Sequence, residues 1–186
     1  MTNASPTITY YSVVGHKTVR ISLTLAALNV LEVNAGDIEN NYVTAPVTKK
    51  IWTKLGEEFG ADAGKKAIIV QALYELKSSG AALRNHLDDC MIHIGYKSCL
   101  ADPDLWMKPT TKATGEHYYS YTLNYVDAVL VISEEAGTIL ARLGKYFKLK
   151  AGSIVPPKNY LGTKICLARL PNGVAAWGMR PSQYVQ

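Results

Sequence analysis

The chain has 186 residues, 48% hydrophobic and 19% charged, which is enough for one domain with a hydrophobic core and unlike a disordered protein. Cys90, Cys99 and Cys166 are not closely spaced in the sequence, which argues against a disulfide scaffold or a zinc site. The sequence shows no secretory signal and no apolar run close to the roughly 20 residues of a membrane span. The net charge of +5 suits a polyanionic partner without identifying one.

The first part of the chain predicts a helix and then a short strand. Apolar residues at helical spacing predict a helix over residues 17–29. An extended run over residues 31–38 follows, and Asp37 stands at its end. Residues 51–64 are hard to assign, but their glycines lack the lysine and hydroxyl residue that a phosphate-binding loop needs. Residues 67–76 begin as an apolar, extended segment.

The middle of the chain predicts a second helix and a turn. The helix starts near Ser78 and ends at Gly95, because apolar residues recur at helical spacing and either Ser78 or Ser79 can cap the start. Two histidines on it, at positions 86 and 93, are too far apart for a paired metal site, so we expect them on a solvated face. In the following turn, Asp102 and Asp104 are expected to be capping or turn-forming acids.

The last third predicts strands around one more helix. Residues 118–123 alternate between polar and apolar, and apolar runs follow on both sides of Asp127. This pattern predicts a β-hairpin with Asp127 in its tight turn. Residues 133–135 are expected to open a helix with their acids at its positive end. Its inward residues would be Ile139, Leu140, Leu143 and Phe147. Further strands are expected at residues 148–150, 160–167 and 174–179, with a hairpin turn at residues 171–173.

Asp37 and Asp127 are the candidate functional residues that this pattern indicates. Each stands at the end of an extended apolar run, where a buried core would not accept a carboxylate. Two carboxylates at strand ends can converge although they are far apart in the sequence, and a converged pair is what a hard divalent cation requires.

Six short sequence blocks, which occur in the same order as in a known protein family, give the chain a resemblance to that family. From about residue 9 onward it resembles the reverse transcriptase domain of copia-type (Pseudoviridae) LTR retrotransposon polyproteins. The blocks are residues 37–43 (Asp-Ile-Glu-Asn-Asn-Tyr-Val), 71–78 (Gln-Ala-Leu-Tyr-Glu-Leu-Lys-Ser), 101–106 (Ala-Asp-Pro-Asp-Leu-Trp), 125–128 (Tyr-Val-Asp-Ala), 160–162 (Tyr-Leu-Gly) and 182–185 (Ser-Gln-Tyr-Val).

The resemblance implies an α+β fold over residues 1–186: a polymerase palm, in which helices back an antiparallel sheet, with incomplete fingers. No part of the chain matches a thumb or connection, an RNase H domain or an integrase. The implied activity is RNA-directed DNA synthesis on an RNA or DNA primer–template from deoxynucleoside triphosphates (dNTPs). The implied location is the cytoplasm, in virus-like particles as in the family, with the nucleus as an alternative. The number of subunits stays open.

The resemblance also implies roles for individual residues. Asp37 and Asp127 would be catalytic and would hold two Mg²⁺ or Mn²⁺ ions, with the backbone carbonyl of Ile38 as a further ligand. Tyr42, with Ile38, would contact the incoming nucleotide and discriminate against a 2′-hydroxyl. The residues near template and primer would be Leu76, Lys77, Ser78, Gly80 and Tyr125.

Two departures from the family pattern bear on activity. Ala128 replaces the second aspartate of Tyr-Val-Asp-Asp, so the site loses a carboxylate and binds its ions less tightly. Glu75 stands where the family has glycine, which puts a negative charge near nucleic acid.

Three interpretations stay open: an impaired or inactive polymerase domain, a working polymerase that tolerates Ala128, and a non-catalytic nucleic-acid-binding or interaction module. The basic clusters for the last are Lys49-Lys50, Lys65-Lys66 and residues 145–150.

Overall fold

The structure is a computed structural model that describes residues 13–74, 76, 78–171 and 173–181. Contacts divide these residues into two compact units. Residues 40–89 form the smaller unit, and residues 13–39 together with 90–181 form the larger one. Glu75, Lys77, Asn172 of the predicted turn and the block at residues 182–185 lie outside the described residues.

The described elements are three α-helices, two 3-10 helices and ten strands. In chain order they are α1 (His16–Leu28), β1 (Glu32–Asp37), η1 (Asn41–Thr44), β2 (Pro46–Lys54), η2 (Glu57–Asp62), β3 (Lys66–Gln71), α2 (Ser79–His93), β4 (Lys97–Ser98), β5 (Leu105–Thr111), β6 (His117–Tyr125), β7 (Ala128–Ser133), α3 (Ala136–Leu143), β8 (Asn159–Tyr160), β9 (Thr163–Arg169) and β10 (Ala175–Pro181).

The larger unit is built on a five-stranded antiparallel sheet in the order β1-β7-β6-β5-β4. A second antiparallel sheet has the order β10-β9-β8, and the smaller unit holds the antiparallel pair β2-β3. The α+β class is therefore confirmed. Among the residues that the structure describes, no helix combines the length and apolar character needed to cross a bilayer.

The core of the larger unit lies between α1 and one face of the five-stranded sheet. Helix α1 buries one stripe because its apolar residues recur every three to four positions. Its buried side chains meet those of alternate residues in β1 and β7. The residues concerned are Val19, Leu23 and Ala26 on the helix and Val33, Leu130 and Ile132 on the strands.

Helix α3 contacts the strands β1 and β7. Gly36 in β1 makes a close approach possible, since a Cβ there would lie 3.0 Å from the Leu140 side chain. Leu140, Leu143 and the following Phe147 are buried, as predicted. The helix itself starts later than predicted, at Ala136, because Ser133 still belongs to β7.

The acids before α3 lie at its N-terminal end, as predicted: Glu135 is the N-cap residue, without a side-chain capping bond, and Glu134 accepts a hydrogen bond from the Ala113 N–H at 3.0 Å. Two other local predictions were wrong or incomplete. Residues 148–150 make only an isolated bridge, between Leu149 and Ile38, and no strand. Strand β2 was missed, because its lysine- and threonine-rich sequence lacks a clear alternation.

Asp102 joins the loop before β5 to the N-terminus of α1. Its Oδ2 accepts hydrogen bonds from the Gly15 N–H, at 3.0 Å, and from the Thr18 hydroxyl, while its Oδ1 accepts one from the Asp104 N–H at 3.2 Å. The carboxylate caps a helix whose own N-cap residue, Gly15, has no side chain. The predicted capping and turn role of this acid is therefore confirmed.

We expect Asp102→Ala to lower the free energy of unfolding by about 1–2 kcal/mol, because it removes the acceptor of the Gly15 N–H and of the Thr18 hydroxyl at the start of α1. Asp102→Asn keeps an acceptor oxygen and should cost less. Urea denaturation of the two variants beside the parent chain tests this. An Asp102→Ala protein that unfolds at the parent midpoint would contradict the capping role.

Candidate functional site

Asp37 is placed by the pairing of β1 with β7. In this antiparallel ladder Asp37 lies directly opposite Ala128, and Ala128 in turn lies opposite Tyr125 of β6. Directly opposed residues have their side chains on the same face and Cα atoms about 4.5–5.5 Å apart. Asp37, Ala128 and Tyr125 therefore form one row across the end of the sheet.

Asp127 lies in the turn beside that row. Strand β6 ends at Tyr125 and β7 begins at Ala128, so Val126 and Asp127 make a two-residue hairpin turn, as predicted. The Ile38 N–H donates a hydrogen bond to the Asp127 carbonyl at 2.7 Å. The backbones of the two acidic segments are thus directly joined, and the structure brings Asp37 and Asp127 to the same end of the sheet.

The turn holds Val126 in an unusual backbone conformation. Its φ is +52°, in the left-handed region that glycine and asparagine tolerate and a β-branched residue rarely adopts. A two-residue hairpin turn requires a positive φ at this first central position, which is why glycine or asparagine is common there. Strain of this kind is found at functional sites more often than elsewhere.

The Asp37 carboxylate is about half exposed and faces a lysine. The side chain retains 47% of its accessible surface, and its Oδ2 lies 3.7 Å from the Lys150 Nζ. Its backbone is fixed on both sides, because the Asp37 carbonyl accepts from the Lys150 N–H at 2.8 Å and the Asp37 N–H donates to the Ser153 hydroxyl at 3.2 Å. Asp127 is also partly exposed.

The oxygen atoms at this rim are of the right chemistry for a magnesium-type ion, but they are few. Carboxylates are the ligands that Mg²⁺ and Mn²⁺ prefer, and water can complete their shell. Within the described part of the chain, no three His, Cys, Asp or Glu residues are grouped closely enough to hold a metal. Ala128 occupies the position opposite Asp37 where an acidic residue would supply a third carboxylate.

The other predicted site residues belong mostly to the smaller unit. Tyr42 lies in η1 and makes an edge-to-face contact with Tyr74, with ring centroids 5.0 Å apart and an interplanar angle of 74°. Leu76 and Ser78 lie in the turn before α2, and Gly80 is in its first turn. Lys77 lies outside the described residues.

Lys150 is the site residue whose position sequence reasoning missed. In the sequence it belongs to the basic cluster of residues 145–150, and nothing in that cluster distinguishes it from its neighbours. The signal that could have found it is the alternation of residues 148–150, in which a lysine stands on each side of Leu149. Because Leu149 pairs with Ile38, Lys150 lies beside Asp37 and Lys148 lies beside Glu39.

Cys90 does not have the setting of a cysteine nucleophile. Burial raises the pKa of the Cys90 thiol to about 11, so the reactive thiolate is scarce at neutral pH. Burial also raises the pKa of Tyr96, whose hydroxyl is held 2.6 Å from the Ser120 hydroxyl. These groups lie in the protein interior and serve its packing.

Comparison with protein-family models and with curated proteins finds no match for this chain.

We expect Val126→Gly to raise the free energy of unfolding by about 0.5–1 kcal/mol, because glycine adopts the positive φ without strain and this outweighs its greater freedom in the unfolded chain. Val126→Ala is the control, since it removes the branch but keeps the Cβ. Thermal or urea denaturation compares the three proteins. A Val126→Gly protein less stable than Val126→Ala would show that the turn is not strained.

Proposed function

We propose that this chain is a polymerase palm-like domain of the copia-type reverse transcriptase family, with its nucleotidyl-transfer activity impaired or lost. The observation that carries the proposal is the placement of Asp37 and Asp127 at one end of the sheet, where the hydrogen bond from the Ile38 N–H to the Asp127 carbonyl joins the backbones of their two segments. Two acids from separate motifs are thereby presented together at a partly exposed rim.

A second contact between motifs supports the proposal. Tyr42 from the block at residues 37–43 packs on Tyr74 from the block at residues 71–78. Blocks distant in sequence thus touch within the smaller unit, which is expected if both contribute to one nucleotide site. By the resemblance, Tyr42 and Ile38 would contact the incoming nucleotide, and Leu76, Lys77, Ser78, Gly80 and Tyr125 would lie near template and primer.

The chemistry of the proposed site follows from its charges. When bound, a pair of Mg²⁺ or Mn²⁺ ions would activate the primer 3′-hydroxyl and neutralise the charge that develops on the attacking and leaving oxygens. Asp37 and Asp127 would hold these ions by their carboxylates, with the Ile38 carbonyl as a further ligand. Ala128 offers no oxygen, so the site has one negative charge fewer to balance two dications.

Further parts of the proposal follow from the resemblance alone. The partners would be an RNA or DNA primer–template and dNTPs, and the location would be cytoplasmic virus-like particles or the nucleus.

An extension assay with a labelled dNTP, a primer–template and Mg²⁺ or Mn²⁺ tests the proposal. We expect the parent chain to incorporate no more label than Asp37→Ala. Ala128→Asp places a carboxylate opposite Asp37 and should raise incorporation at least about tenfold, since metal-site groups commonly contribute 10- to 100-fold. Ala128→Asn, of the same size but uncharged, is the matched control.

Two outcomes of that assay would contradict the proposal. Incorporation by the parent chain that disappears in Asp37→Ala would show a working polymerase. If Ala128→Asp incorporated no more label than Asp37→Ala, the idea of a polymerase site lacking one carboxylate would fail.

A second candidate function, non-catalytic binding of single-stranded nucleic acid, is favoured by the hairpin of β2 and β3. Trp52 lies opposite Ile68, and Lys54 lies opposite Lys66, all on one face because positions two apart in a strand share a face. Trp52 is 59% exposed and Ile68 is 45% exposed. Trp52, Lys54 and Lys66, together with Thr53, line a surface hollow of about 480 Å³.

This face combines the two features that single strands need. Like charges directly opposite each other destabilise a hairpin, so Lys54 and Lys66 would gain from a phosphate between them. An exposed indole gives a base a surface on which to stack. Lys65 on the same hairpin is already paired with Asp62, with Nζ 2.5 Å from Oδ1.

We expect the double variant Lys54→Ala, Lys66→Ala to bind a fluorescent single-stranded oligonucleotide more weakly. The logarithm of its association constant should also fall less steeply with the logarithm of the salt concentration, by about 1.4 in slope, or about 0.7 for each lost phosphate contact. Trp52→Ala should weaken binding by about 1–3 kcal/mol at every salt concentration. Lys65→Ala is the matched control and should change little. Salt-independent binding, or equal loss in the control, would contradict this role.

A further inference from the structure

We propose that the ammonium group of Lys150 is a built-in counter-ion of Asp37 and competes with divalent cations for its carboxylate. The inference rests on the proposed function, because it concerns the same rim of the sheet. It adds a residue that controls how readily the site takes up a metal ion.

The backbone holds Lys150 beside Asp37. The Lys150 N–H donates to the Asp37 carbonyl at 2.8 Å, and the preceding Leu149 bridges to Ile38. The Leu149 side chain also lies over Gly36, since its Cδ1 is 3.7 Å from where a Cβ on Gly36 would be. The lysine side chain therefore starts from an anchored position, and its Nζ lies 3.7 Å from the Asp37 Oδ2.

The charge balance makes this lysine important in this chain. Asp37 and Asp127 bring two negative charges to the rim, and Ala128 brings none. Together with the positive charge of Lys150, these residues have a net charge of −1. An acidic residue at position 128 would make that net charge −2. A dication approaching Asp37 has to displace the ammonium group or share the carboxylate with it, and both oppose metal binding.

The exposure of the pair determines how strong this competition is. The side chains of Lys150 and Asp37 keep 50% and 47% of their accessible surface. Water and salt screen an ion pair of this kind, so a metal ion can displace the lysine at a modest cost. We therefore expect an effect of several-fold on metal affinity, larger at low ionic strength.

The chain contains a matched control one step away. Lys148 lies on the other side of Leu149, and its Nζ lies 3.0 Å from the Glu39 Oε2. Its backbone carbonyl accepts from the Glu39 N–H at 2.7 Å. Lys148 therefore resembles Lys150 in setting, charge and attachment to the same segment of backbone, but its ion pair is with Glu39.

The experiment measures Mn²⁺ binding to the full chain by electron paramagnetic resonance at low ionic strength, with circular dichroism as the check on folding. Lys150→Met keeps the length of the side chain and removes the charge, and it should bind Mn²⁺ about three- to tenfold more tightly. Lys148→Met should stay within about twofold of the parent chain, and Lys150→Arg should bind like the parent. The gain in Lys150→Met should shrink as salt is added.

Asp37→Asn separates failure of this inference from failure of the proposed site. If Asp37→Asn loses Mn²⁺ binding while Lys150→Met binds like the parent, the metal site stands and the competition is refuted. If Asp37→Asn binds like the parent, Mn²⁺ does not use Asp37, and both ideas fall. Equal gains in Lys150→Met and Lys148→Met would show only a general change in charge and would also overturn the inference.

Discussion

The antiparallel pairing of β1 with β7 is the interaction on which the candidate site depends. Its register sets Asp37 opposite Ala128 and continues into the hydrogen bond from the Ile38 N–H to the Asp127 carbonyl. A slip of one residue would turn every β1 side chain to the other face. Val33 would then leave the core under α1, and Asp37 would leave the row that it shares with Tyr125. Burial of the core thus enforces the geometry of the site.

The rim that results has a particular balance of charge. Two partly exposed carboxylates would attract a divalent cation, whereas the methyl group of Ala128 contributes nothing and Lys150 opposes it. The absence of an acid at position 128 and the presence of Lys150 act in the same direction, toward weaker metal binding. A weakened site is compatible with the fold, because the carboxylates and the lysine stay partly exposed and Ala128 packs against the core as a small apolar residue.

The smaller unit offers a different chemistry. Its hairpin presents Trp52 and two lysines, Lys54 and Lys66, on one exposed face, and the Tyr42–Tyr74 contact lies within the same unit. An aromatic surface next to positive charge suits bases and phosphates together. Both proposed functions therefore expect a polyanion, and they differ in whether the carboxylate rim acts on it.

Much of this arrangement could be predicted from the sequence. The periodicity of α1, the hairpin around Asp127 and the capping role of Asp102 were predicted correctly, because each depends on local spacing and residue type. Strand β2 was missed, since its polar residues form a strand only through pairing with β3.

The sequence by itself determined which residues are candidates for the site's chemistry: two acids at the ends of extended runs, and an alanine after the second one. Only the tertiary structure decided that Asp37 faces Ala128 across the ladder and that Lys150 faces Asp37. The physical reason is that these partners are chosen by strand register and by the bridge between Leu149 and Ile38. Both are long-range contacts that burial of the core selects, and no local pattern of residues specifies them.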